Sequence, residues 1–415
     1  MSATVGTAAP PAEPRAALDR ARLTQLATGH FVIDAVVGAV PAMIPVFTTI
    51  YALSDLAASM ILGASLLVSS AIQPLFGLLA DRRPSPAFIW GGVAVGAAGL
   101  AASGLAGGYL GVLACIVGSG LGIAAFHPEA ARVANQISAP RQATGLAWFM
   151  VGGNAGFAVG PLLAALFIPL LDERATVVFL VPGLAVAAWL HHERSGLAVP
   201  LPAKPRHVAE RIGAGLAAGV RVGSVVLLLV VTSLRTWTQF CLLALAPLLL
   251  TDDRGYSDQA AGLVVAAFAG AGAVGTVAGA VLADRVGGRR MLLWTMPLVA
   301  PLIAGFLLTD GPLSILLLSL AGFVLLASFS VTVMMGQDYM PHRLALAAGL
   351  MIGFGAIGSA PPGLALFGAI ADWAGREAAL WGVAALPLLA GALAVLLPET
   401  RAGRRRSGPV AEAAA

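Results

Sequence analysis

Apolar runs of membrane-crossing length recur along this chain, separated by short polar loops. An α-helix needs about 20 such residues to cross a bilayer core, and the bilayer leaves the backbone few other ways to satisfy its polar groups. Six runs fall in the first half, at Ala27–Ile50, Leu56–Ala80, Ala87–Leu105, Leu110–Ala131, Thr144–Leu166 and Thr176–Leu190. Six more follow at Val225–Leu250, Gln259–Ala283, Met291–Leu308, Leu313–Met335, Leu346–Ile370 and Ala378–Leu397. The pattern predicts an all-α membrane protein of twelve transmembrane helices arranged as two pseudo-symmetric six-helix bundles, residues 27–190 and 225–397. A polar stretch with Pro200, Pro202 and Pro205 joins them, so residues 191–224 read as a linker, with tails at 1–26 and 398–415.

Composition narrows the class. Charged residues make up 11% of the 415 and apolar residues 59%, with a mean hydropathy of +0.90, a balance unsuited to a water-exposed surface. Residues 1–22 are rich in Ala and Pro and have no apolar core ahead of a cleavage site, so they do not read as a secretory signal. With the N-terminus inside, twenty of the 24 Lys and Arg lie on the cytoplasmic side. Arg174, Arg254 and Arg376 lie outside, and Arg235 lies within a span. This positive-inside bias predicts a multi-pass protein of the bacterial cytoplasmic membrane with both termini in the cytoplasm. It also accounts for the net charge of +4 without nucleic acid, since no basic face is interleaved with aromatics. Cys115 and Cys241 sit in apolar runs and read as small packing residues.

The two halves carry the marks of a duplication. Ala80-Asp81-Arg82-Arg83 follows span 2, and Ala283-Asp284-Arg285 with Arg289 and Arg290 follows span 8, about two hundred residues later. Such loops can hold the cytoplasmic side shut as a charge latch that breaks in each cycle. Span 5 places Gly152, Gly156 and Gly160 four apart on one face, a device for close helix approach, and span 11 repeats the idea with Gly349, Gly353, Gly355 and Gly358.

Ionisable groups inside a bilayer are costly and mark function by default. Span 1 carries His30 and Asp34 one turn apart; span 4 carries His127, Pro128, Glu129 and Arg132. Span 7 carries Arg235 with Gln239 one turn on, and Asn154 lies in span 5 and Gln73 in span 2. Asp34 is the leading proton-coupling candidate, with Glu129, His30 and His127 beside it. Glu129 and Arg132 also fit a structural ion pair, and His30 could reach instead for the cytoplasmic surface. Arg235 needs either an acid across the cavity or an anionic ligand, with Gln239, Asn154, Arg132 and Gln73 as further substrate contacts. Asn154 fits a helix-to-helix hydrogen bond as well. No nucleophile constellation or metal-ligand spacing is present, so no enzyme, cofactor or metal is expected.

The string Phe126-His127-Pro128-Glu129-Ala130-Ala131-Arg132, followed by Val151-Gly152-Gly153-Asn154-Ala155-Gly156 and Gly160-Pro161-Leu162, closely resembles the fosmidomycin resistance protein family of major facilitator superfamily exporters. Further matches are His30 to Asp34, Gln73-Pro74, Gln337-Asp338 and Gly353-Phe354-Gly355. The resemblance implies proton-driven drug efflux by alternating access, with fosmidomycin, an anionic phosphonate, as the family's named substrate. It also implies that span 7 lines the central cavity. The expected partners are a small anionic or amphipathic molecule, protons and the lipid bilayer, with the chain acting as a monomer. The alternative is a proton-coupled uptake symporter for an organic anion.

Overall fold

The computed structural model describes residues 19–138, 142–199, 222–340, 347 and 349–399. The tails and most of the linker expected from the sequence lie outside the described residues, as do the side chains of Asp81 and Asp284. Span 1 is a helix over Arg20–Tyr51, starting at Arg20 rather than Ala27 because the Asp19 side chain accepts from the Arg22 backbone N–H and caps it. Span 2 runs Asp55–Ala71 and continues as Gln73–Arg82. Its break at Ile72 falls two residues before Pro74, which has no N–H to give the preceding turn. Spans 3 and 4 are Ala87–Ser103 and Tyr109–Ile137.

Spans 5 and 6 meet without the loop expected between Leu166 and Thr176. Helix Gln142–Leu171 passes through a 3-10 segment, Asp172–Phe179, into Leu180–His192. Span 7 is Val222–Leu248, closed by a wide turn at Leu249–Asp253. Spans 8 and 9 are Asp258–Val286 and Gly288–Leu308. Span 10 is split into Gly311–Leu326 and Phe329–Tyr339, and span 11 into a widened helix Gly349–Gly358 and Ala360–Ala374. Span 12 is Arg376–Ala394. Among the described residues, ten stretches are long and apolar enough to cross a membrane. One of them, Trp148–His192, covers two spans, and Ala87–Ser103 is a shorter apolar helix, which together account for the twelve.

The duplication extends to the caps. Ser54 Oγ accepts from the Ala57 N–H to open span 2, and Ser257 Oγ accepts from the Ala260 N–H to open span 8, each at 3.2 Å. Packing follows the glycines. A Cβ added at Gly152, Gly156 or Gly160 would lie 2.1, 2.0 or 2.1 Å from the carbonyl oxygens of Ala27, Phe31 and Ala35, so spans 1 and 5 touch backbone to backbone. Across the two halves, span 5 packs on span 8 and span 2 on span 11, while span 1 reaches spans 7 and 8. Spans 1 and 4 bring polar side chains of the interior together, and span 7 carries a buried arginine of its own.

Candidate functional site

Asp34 sits between two imidazoles. His30, one turn before it, places Nε2 3.2 Å from Asp34 Oδ2, and His127 of span 4 places Nε2 3.1 Å from Oδ1. His30 is buried behind the carboxylate, whereas the side chains of Asp34 and His127 remain 22% and 23% exposed. Each ring is held by its other nitrogen. His30 Nδ1 donates to the Phe149 carbonyl of span 5, and His127 Nδ1 to the Ile123 carbonyl one turn back, both at 2.9 Å. The Phe149 ring stacks on His30 at 4.1 Å between centroids. Gly153 completes the seat, since a Cβ there would fall 2.4 Å from His30 Nε2 and 2.6 Å from Asp34 Oδ2.

Glu129 and Arg132 form a separate unit one turn further along span 4. Arg132 donates Nε and Nη2 to the two Glu129 oxygens at 2.8 and 2.7 Å, a fork that fixes both groups. Its Nη1 donates to Gln136 and to the Val199 carbonyl at the start of the linker. The donors of Arg132 are therefore largely committed within the protein, and Glu129 is 1% exposed.

Arg235 has no such counter-ion. It is 1% exposed, donates to Gln239 Oε1 at 3.2 Å and to Thr236 Oγ at 3.1 Å, and lies 5.3 Å from the centre of the Phe329 ring. Its Nε has no hydrogen-bond partner, and no carboxylate pairs with it among the described residues. Asp34 and Glu129, the acids that could have neutralised it, are bonded to the imidazoles and to Arg132 instead. A permanent cation with neutral partners can donate hydrogen bonds from its remaining N–H groups to an anion.

The match to known proteins settles the family. The model of the major facilitator superfamily matches residues 26–361 and 228–415, two overlapping stretches that span nearly the whole chain. The chain belongs to the major facilitator superfamily. It is 31% identical over 376 residues to an uncharacterised MFS-type transporter, YfnC, of Bacillus subtilis (strain 168), covering 89% of this chain and 90% of that protein. It is 31% identical over 385 residues to the fosmidomycin resistance protein of Escherichia coli (strain K12), covering 91% and 93%. In fold it is similar to a bacterial homologue of the human lysosomal transporter Spinster in an inward-facing, occupied conformation (TM-score 0.76, 14% identity, 92% of this chain and 97% of that one). A D-xylose-proton symporter gives a TM-score of 0.71 at 15% identity, covering 93% and 99%. This superfamily member is a multi-pass membrane transporter of small molecules, not an enzyme.

The remaining residues singled out from the sequence stand apart from these groups. Gln73 is half-buried at the break in span 2, and Asn154 is exposed with no hydrogen-bond partner among the described residues. Arg82 and Arg285 of the Asp-Arg loops are exposed, and Arg289 donates to the Val395 carbonyl at the end of span 12. At the opposite end the facilitator carries a network that sequence reasoning missed. Arg376, at the start of span 12, donates to Asp55 across the halves at 2.7 Å and to Asp252 and Asp253 of its own half at 2.7 and 3.2 Å. Asp372 accepts from the Asp55 and Leu56 N–H groups, capping span 2 from span 11. In the conformation described here these bonds fasten the two halves together at that end. The available signal was the rarity of cations there, three against a cluster of acids.

Proposed function

We propose that this transporter is a proton-coupled exporter of small anionic compounds of the phosphonate type, working in the bacterial cytoplasmic membrane with both termini inside. The observation that carries the reading is the unequal pairing of the buried charges. Arg235 is buried with no anionic partner among the described residues, while Asp34 is bonded to groups that can themselves lose or gain a proton. The first suits a substrate anion gripped through two parallel hydrogen bonds. The second suits a carboxylate that is loaded on one side of the membrane and emptied on the other.

Export is supported by the name of the E. coli relative, a resistance protein, and that relative points to fosmidomycin as the probe. The cycle follows from alternating access between two six-helix halves. The Arg376 network holds one end closed while protons and substrate exchange at the other. When the halves part at that end, Arg376 loses Asp55 and keeps Asp252 and Asp253, so the guanidinium is never left unpaired. Glu129 and Arg132 act as a unit that ties the bent end of span 4 to the linker.

Everted membrane vesicles test this directly. Fosmidomycin should accumulate inside them when their lumen is acidic, and the accumulation should collapse when a protonophore is added. Accumulation that ignores the pH gradient removes proton coupling from the account. Accumulation of a cationic dye in preference to fosmidomycin removes the anion specificity.

A further inference from the structure

The hydrogens around Asp34 can be counted. A carbonyl oxygen only accepts, so His30 Nδ1 facing the Phe149 carbonyl and His127 Nδ1 facing the Ile123 carbonyl must each carry a hydrogen. In a neutral ring the other nitrogen, Nε2, is then a bare lone pair. Yet both Nε2 atoms lie within hydrogen-bond distance of a carboxylate oxygen, at 3.2 and 3.1 Å. Each contact brings two acceptors together unless a further hydrogen, on nitrogen or on oxygen, lies in it or a cation is held by all three groups.

We infer that the His30–Asp34–His127 cluster binds two exchangeable protons in each transport cycle, one in each imidazole–carboxylate bridge. The cluster then carries a net charge of +1 when loaded and −1 when empty, counting two imidazoles and one carboxylate. This deepens the proton-coupling role proposed above for Asp34 and rests on it.

Other charges do not supply the missing hydrogens. Glu129, two residues beyond His127 on span 4, turns both oxygens to Arg132. Span 5 contributes the ring and carbonyl of Phe149 and the backbone of Gly153, and Arg235 of span 7 is bonded to Gln239 and Thr236. Among the described residues, the charged groups acting on Asp34 are His30 and His127. Nor can the rings turn away freely. His30 is stacked on Phe149, and the space at its Nε2 is closed by Gly153. Removing one bridging proton sets lone pair against lone pair at about 3 Å, a repulsion that a shift of span 4 or span 5 against span 1 relieves. Span 5 also packs on span 8 of the other half, so unloading the cluster pushes on the surface along which the halves rock.

The count is tested by the pH dependence of the conformational equilibrium, which needs no substrate. Spin labels at Gly107→Cys and Asp310→Cys, in a Cys115→Ala and Cys241→Ala background, report the separation of the halves at one end of the full chain in nanodiscs. The slope of the logarithm of the open-to-closed ratio against pH equals the number of protons that differ between the two states. The wild-type pair should give a slope near two. His127→Gln and His30→Gln, whose amides bridge without an exchangeable proton, should each give a slope near one, and the variant carrying both changes should be flat. A wild-type slope of one that the double histidine variant abolishes overturns the second proton and leaves a single bridging proton in place. A wild-type ratio independent of pH overturns both the count and the proton-coupling reading beneath it.

Discussion

Arg235 offers the sharpest separation of a ligand-holding charge from a structural one. An arginine at the centre of a spanning helix costs about 2.5–3.5 kcal/mol on insertion scales. Here that cost is set against two hydrogen bonds to neutral side chains and a cation–π contact with Phe329. The bonds contribute about 0.5–1.5 kcal/mol each, and the contact about 0.5–2 kcal/mol. Gains and losses nearly cancel, so Arg235→Met, which fills most of the same buried volume without the charge, should change unfolding stability by no more than about 2 kcal/mol. Glu129→Gln provides the contrast. It strips the counter-charge from Arg132 in a pair whose acid is 1% exposed, and should cost about 3–5 kcal/mol.

Binding should respond in the opposite order. Two charge-assisted hydrogen bonds to a phosphonate contribute about 1.5–3 kcal/mol each, so Arg235→Ala should weaken fosmidomycin by at least about a hundredfold. Arg235→Lys keeps the charge but loses the fork and should fall between the two. The assay is calorimetric titration of fosmidomycin, and of a neutral analogue, into purified monodisperse protein, paired with thermal unfolding in the same detergent. Wild-type affinity for fosmidomycin in Arg235→Ala would refute the reasoning. So would an unfolding midpoint of Arg235→Met as depressed as that of Glu129→Gln.

Three further outcomes follow from the geometry. The double variant Glu129→Gln, Arg132→Gln should unfold at a higher temperature than either single variant, because it leaves no orphaned charge; strictly additive losses would contradict the pairing. Gly153→Ala should reduce uphill transport at least about tenfold in vesicle assays while the protein still folds, because its Cβ intrudes on the His30–Asp34 bridge; unchanged uphill transport would show that the bridge is not needed. Arg376→Gln should shift the halves toward opening at that end by about tenfold or more, since Asp55, Asp252 and Asp253 are left facing one another. Distances measured between labels on spans 2 and 12 would show it, and a distribution like wild type would remove the network from gating.

The spans were legible because a backbone in hydrocarbon must satisfy its own hydrogen bonds, which makes twenty apolar residues and a helix nearly the same statement. Their ends were less so. Span 1 begins in a polar stretch that Asp19 caps, and spans 5 and 6 are joined through a 3-10 segment whose Asp172, Glu173 and Arg174 read as an ordinary loop. In the interior, groups one turn apart could be paired by eye, as His30 with Asp34 and Glu129 with Arg132. The arrival of His127 on Asp34 from 93 residues away could not, because it depends on how span 4 packs against span 1. The Arg376 network was illegible for the same reason, its bond to Asp55 closing a separation of 321 residues.

The central claim is that Asp34 carries the protons that drive the substrate, and Asp34→Asn tests it most directly. Proteoliposomes containing the wild type and the variant are compared for fosmidomycin accumulation under an imposed pH gradient and for exchange of labelled against unlabelled fosmidomycin with no gradient. The account predicts that the variant keeps exchange, since Arg235 and the moving halves are intact, and loses accumulation against the concentration gradient. Accumulation by Asp34→Asn at the wild-type rate would contradict it.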